Sequence, residues 1–197
     1  MDLAETDADE LLRRAALGDE EAFAALYRRF QGPVHRFAWR MTGRRETAED
    51  VTQETFLALL RGPTRYEKGR GPLGAYLYGI ARNLLARRAG RDRPYVPLSE
   101  GEASALRSTD LGADPERQRA VGSIREAVLG LPVHYREVVV LCELQGLPYE
   151  EAATALECPV GTVRSRLHRA RALLAARLRT DRAPSWSGSK RTVETAS

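Results

Sequence analysis

The sequence predicts an all-α protein: two small helical domains joined by a flexible linker. Three observations carry this reading. Apolar residues recur at helical spacing through most of the chain, and strand-like alternation is essentially absent. Residues 94–115, PYVPLSEGEASALRSTDLGADP, hold Pro94, Pro97, Pro115 and two glycines without any sustained periodicity, as a linker does. The net charge of +4 is also unevenly spread: −4 over residues 1–60, +7 over 61–93, −2 over 94–122, −4 over 123–160 and +6 over 161–182. Each basic peak closes a helical block, so each domain presents one cationic surface to a polyanion.

In order, residues 1–9 are expected to be disordered, and helices are expected over 10–17, 19–42, 47–61 and 73–91 within a first domain of residues 10–93. A second domain follows over 116–180. Residues 181–197, DRAPSWSGSKRTVETAS, have only Trp186 and Val193 as large apolar groups and read as a disordered tail.

Composition narrows the function classes. The chain has 197 residues, 43% hydrophobic and 29% charged, and its apolar runs are too short to span a bilayer. The acidic start MDLAETDADE offers no signal-peptide core, so a cytoplasmic protein without membrane insertion is expected. Cys142 and Cys158 lack metal-ligand spacing, and His35, His134 and His168 are scattered. There is no nucleophile–base set and no phosphate loop, so neither an enzyme nor a bound metal or cofactor is expected.

The most informative stretch is GLPYEEAATALECPVGTVRSRLHRARALLAARL, from Gly146 to Leu178. Ala152, Ala153 and Leu156 mark the buried face of a short helix with Glu150 and Glu151 in its first turn. Pro159 and Gly161 then break the pattern, and Thr162 is expected to cap the next helix. There Val163, Leu167, Ala170, Leu174 and Leu178 form one apolar stripe. Ser165, His168 and Arg169 project away from it, flanked by Arg164 and Arg171 on one side and Arg166 on the other. This is a helix-turn-helix whose second helix is dressed for DNA, since guanidinium groups bridge guanine edges or clamp phosphates. A solvated face would mix signs, yet no acid lies between Thr162 and Thr180.

In the first domain, Asp50, Gln53 and Glu54 share one face of the helix over 47–61, with Thr47 expected to cap it. Val51, Thr55, Leu59, Phe56 and Leu60 form its buried side. The acidic face suits a basic protein surface, and the spacing alone also fits an ordinary solvated face. Next, a Gly- and Pro-rich loop carries Arg65, Lys68 and Arg70 into a helix with Tyr76, Tyr78, Arg82, Asn83, Arg87, Arg88 and Arg91 as its polar or amphipathic positions. Rings among cations are what unpaired DNA requires: rings stack on bases and guanidinium groups hold the backbone. Tyr76 fits a core position equally well.

The order of an acidic D-x-x-Q-E helix, a basic helix with IARN, a linker, GLPYEEAA and PVGTVRSRLHRAR resembles the extracytoplasmic-function sigma factors of bacterial RNA polymerase. The resemblance covers about residues 10–180 and implies sigma domain 2, the linker, and sigma domain 4 with its helix-turn-helix. It implies docking of Asp50, Gln53, Glu54 and Phe56 on the clamp helices of the β′ subunit, and a further contact with the β subunit. It assigns Arg65, Lys68, Tyr78, Asn83, Arg87 and Arg88 to recognition and melting of the −10 element, and Thr162, Arg164, Ser165, Arg166, His168 and Arg169 to the −35 element. Core RNA polymerase, promoter DNA and an anti-sigma protein are the implied partners, in a stress response. The chain departs from the family pattern at Tyr76, where tryptophan is usual, and at Arg87, where an acid is common.

A plain helix-turn-helix repressor would explain residues 146–178 but not residues 10–93. The linker is expected to let the two DNA-reading surfaces move independently, so that the free chain binds promoter duplex poorly.

Overall fold

Residues 6–91 and 115–182 are described by the computed structural model, and these residues form helices and turns. The elements are α1 (Ala8–Ala16), α2 (Glu20–Thr42), α3 (Arg45–Arg61), two short 3-10 turns (Pro63–Arg65 and Lys68–Arg70), α4 (Leu73–Arg91), α5 (Pro115–Leu129), α6 (Val133–Val138), a π-helical turn (Val139–Leu144), α7 (Tyr149–Ala155) and α8 (Val160–Arg182). Asp19 caps α2, accepting from the Ala22 amide at 3.0 Å and from the Arg14 guanidinium, which ties α2 to α1. Both contacts favour the ionised form and hold the Asp19 carboxyl below its ordinary range. At the other end Gly43 takes φ +73°, the left-handed conformation that ends helices.

Helices α1 to α4 pack around Leu11, Leu26, Phe37, Val51, Leu59 and Leu77, all fully buried. Helices α5 to α8 pack around Leu129, Leu131, Val138, Leu141, Val163 and Leu167. Several expected boundaries move. Thr47 does not cap α3: the tight turn at Gly43 makes Arg44 the cap, and the helix starts at Arg45. Helix α1 begins at Ala8, inside the stretch expected to be disordered, α5 begins at Pro115, and α8 runs to Arg182. Residues 92–114 and 183–197, on which the linker and tail expectations mainly fall, lie outside the described residues.

The two helical domains are present as expected, and the expectation that their surfaces move independently is corrected. The two halves share one hydrophobic cluster, with α4 packed on α7 and α2 on α5, α6 and the π-helical turn. The polar contacts at this junction are specific. The Arg136 guanidinium is buried and donates to the carbonyls of Met41 at the end of α2, of Leu129 at the end of α5 and of Leu131 just after it. Arg82 on α4 donates to the buried Glu137 carboxylate at 2.8 Å. Arg40 donates to the Leu144 carbonyl, and the Gln145 amide donates to the Pro33 carbonyl at 3.1 Å. The Arg125 guanidinium lies over the Trp39 ring, 4.4 Å from its centroid. Burial at this seam lowers the pKa of both Arg40 and Arg125.

Truncating a buried arginine strands the carbonyls that it satisfies. Arg136→Ala is expected to lower unfolding stability by about 3 kcal/mol in urea titration, with Arg136→Lys intermediate because an ammonium lacks the guanidinium fork. A loss below about 1 kcal/mol for Arg136→Ala would show the junction to be no stronger than a surface contact.

Candidate nucleic-acid interface

The turn before α8 is made by Glu157 and Pro159. Glu157 takes φ +51°, unusual for a residue with a side chain, and reverses the chain after α7. The Pro159 carbonyl accepts from the amides of Thr162 (2.8 Å) and Val163 (3.3 Å), so Pro159 is the N-cap. Thr162 therefore sits inside the first turn rather than capping it, and Gly161 is helical rather than part of the break. Beyond this turn the expected faces hold as far as Ala170, while Leu174 and Leu178 of the expected stripe are half-buried. Val163, Leu167 and Ala170 are buried, whereas Arg164, Ser165, His168 and Arg169 are exposed, with Thr162 and Arg166 half-buried. The Ser165 hydroxyl turns back to donate to the Thr162 carbonyl at 3.0 Å. Arg171 pairs with Glu143 of the π-helical turn, and that hydrogen bond raises its pKa.

The basic peak of the first domain frames a cleft of about 640 Å³ between the 3-10 turns and α4. Arg65, Arg70, Asn83 and Arg87 line it together with Tyr66 and Tyr76, whose ring centroids are 5.5 Å apart. The Tyr66 hydroxyl donates to Asp9 at 2.8 Å, and burial with that contact pushes its pKa well above the usual range. Here the tyrosine assignment is corrected. Tyr78 is 7% exposed and packs edge-on to Phe37, and burial raises its pKa. Tyr76 and Tyr66 are the rings at the cleft, and Tyr66 went unnoticed because it lies in a loop without periodicity. The side chain of Lys68 lies outside the described residues.

The far wall of this cleft belongs to the second domain. Thr154 and Glu157 line it, and Gly71 at φ +135° comes so close that an added Cβ would meet Thr154 Cγ2 at 3.1 Å. The site is thus assembled from both halves of the chain.

On α3, Asp50, Gln53 and Glu54 are exposed on one face, as expected. Phe56 is not on it: its ring is 2% exposed and packs against Tyr27 and Phe23. Leu60, expected inside, is 39% exposed. Arg88, on the neighbouring face of α4, reaches Asp50 and Glu54. Cys142 is half-buried, and burial pushes its thiol up to about 11. Among the described residues no cluster of His, Cys, Asp and Glu could hold a metal, and no helix is long and apolar enough to cross a membrane.

The Sigma-70 region 2 family model matches residues 26–94 and the Sigma-70 region 4 model matches residues 122–174. The chain belongs to the extracytoplasmic-function sigma factors. It is 35% identical over 171 residues to the sigma factor SigE of Mycolicibacterium smegmatis, covering 79% of this chain and 62% of that protein. It is 30% identical to SigW of Bacillus subtilis, covering 85% of this chain and 95% of that protein. The fold matches CnrH in complex with the cytosolic domain of CnrY with a TM-score of 0.66 at 30% identity, over 89% of this chain and 99% of CnrH. It matches the sigma factor RpoE in complex with the anti-sigma factor NepR from Bartonella quintana with a TM-score of 0.59 at 26% identity, over 77% and 93% of the two chains. As a sigma factor, the chain acts with RNA polymerase in promoter-specific transcription initiation, with regions 2 and 4 in the first and second halves.

The ring geometry separates two tyrosines that sequence could not. Tyr76→Ala is expected to weaken opening of the −10 element by about 1–3 kcal/mol, read by a 2-aminopurine probe in that element, because a stacking ring is lost. Tyr78→Phe should leave opening unchanged. The reverse pattern would return the role to Tyr78.

Proposed function

We propose that α8 reads the −35 duplex through Thr162, Arg164, Ser165, Arg166, His168 and Arg169, and that the cleft of the first domain takes the melted −10 strand. In the cleft Tyr66 and Tyr76 stack on bases, while Arg65, Asn83 and Arg87 hold backbone and base edges, with Lys68 and Arg88 as further contacts to the same strand. Asp50, Gln53 and Glu54 dock on a basic surface of the β′ clamp helices, and the second domain meets the β subunit. The observation that carries this reading is the presence on one chain of an acid-free exposed helix face and a separate basic, tyrosine-lined cleft. The protein works in the cytoplasm, and bond-making belongs to the polymerase. An anti-sigma protein is a further partner, as it is for the RpoE relative.

The closed junction supplies a reason for weak binding by the free chain that differs from loose tethering. The −35 and −10 elements lie roughly 25 base pairs apart, about 85 Å at ~3.4 Å per base pair. A compact chain of this size has a radius of gyration of about 16 Å. The two surfaces cannot reach both elements while α7 closes the cleft. Docking on polymerase must separate the domains, and the segment 94–115 spans the gap, threading toward the polymerase channels until RNA displaces it.

Gel-shift titration at physiological salt, with and without core polymerase, tests the assignment. Free protein should bind weakly and with steep salt dependence, dominated by phosphates, and become selective only in holoenzyme. There, Arg169→Ala should cost about 1–3 kcal/mol on promoters with an intact −35 element, with core binding unchanged. Nanomolar, sequence-selective binding by the chain alone would support a repressor instead.

A further inference from the structure

Arg88 belongs to two surfaces at once. It lies on α4, five residues after Asn83, yet its guanidinium crosses to α3, where Nη1 is 3.2 Å from Asp50 Oδ2 and Nη2 is 2.6 Å from Glu54 Oε1. Asp50 and Glu54 stand four residues apart on α3, so without a cation between them they repel each other. The Arg88 side chain is 28% exposed, against 62% for Asp50 and 47% for Glu54. The hydrogen bond to Glu54 raises the Arg88 pKa further. On the same helix, Arg82 is committed to Glu137 of the second domain, whereas Arg87 is exposed and lines the cleft.

We propose that Arg88 couples polymerase docking to DNA binding: Asp50 and Glu54 hold it in the free chain, and a cationic polymerase surface that takes those carboxylates releases it to a DNA phosphate beside Asn83 and Arg87. This rests on the docking role proposed above for α3. Two carboxylates and one guanidinium leave a net charge of −1, so the face still attracts an incoming cation. Exposed ion pairs are weak and exchange readily, so the incoming cation displaces Arg88 without breaking packed structure. Released next to Arg87, the guanidinium is free to pair with a phosphate of the nucleic-acid backbone. The same cation is thus withheld from DNA until polymerase is present.

The test uses the full chain with core polymerase and a promoter fragment, and the variants Arg88→Gln and Arg88→Lys. With its competitor removed, Arg88→Gln should bind core polymerase about threefold to tenfold more tightly, a shift read by fluorescence anisotropy. In holoenzyme the slope of log affinity against log salt should fall by about one unit for Arg88→Gln, while non-specific DNA binding by the free chain keeps the wild-type slope. Arg88→Lys, which keeps the charge but not the two-pronged contact, should retain the holoenzyme slope and fall between wild type and Arg88→Gln in core affinity. Unchanged or weaker core binding by Arg88→Gln, or equal salt slopes in holoenzyme, would overturn the coupling and leave Arg88 a brace between α3 and α4. The double variant Asp50→Asn, Glu54→Gln tests the docking reading separately: wild-type core affinity there would refute docking whatever Arg88 does.

Discussion

The guanidinium of Arg136 is the point at which the two halves of the chain become one body. It is buried, and it satisfies one carbonyl from the end of α2, one from the end of α5 and one from the turn that follows. Buried carbonyls require partners, and a buried cation requires acceptors, so each side of the junction depends on the other. Glu137, the next residue, is buried too and is held by Arg82 of α4. These two adjacent charges set where α6 lies on α2 and α4, and α7 follows onto the cleft.

Closure has a functional consequence. The cleft that offers Tyr66, Tyr76, Asn83 and Arg87 also has Thr154 and Glu157 in its wall, so the side of domain 2 suited to a melted strand faces domain 4. Glu157 and Glu67 add negative charge to the cleft that Arg65, Arg70 and Arg87 line, and Glu67 pairs with Arg70 where the proposed ligand would bring phosphate. The arginines of α4 show the same economy: Arg82 is tied to domain 4 and Arg88 to the carboxylates of α3. Polymerase and promoter would exchange these internal partners for external ones made across a larger surface.

Much of the fold was legible from periodicity, because α2, α3 and α8 each bury one stripe and expose the rest. The face of α8 was read residue by residue, since Val163, Leu167 and Ala170 pack inward and Arg164, Ser165, His168 and Arg169 are left outside. Tyr78 was misread because α4 is covered on two sides, by α2 and α3 and by α7, so a single stripe does not describe it. Phe56 was placed on the docking face as well as the buried side, and its packing with Tyr27 decides for the core. The junction itself was illegible. Arg136 and Glu137 look like ordinary surface charges, and the carbonyl that most distinguishes Arg136, that of Met41, lies 95 residues earlier in the chain. No local pattern encodes such a contact.

Single-molecule energy transfer tests closure most directly, with dyes on cysteines placed at the exposed Leu17 and Ala175 in a chain carrying Cys142→Ser and Cys158→Ser. The account predicts one narrow high-transfer population for the free chain, replaced by a low-transfer population when core polymerase binds. A broad, low-transfer distribution in the free chain, unchanged by polymerase, would contradict it.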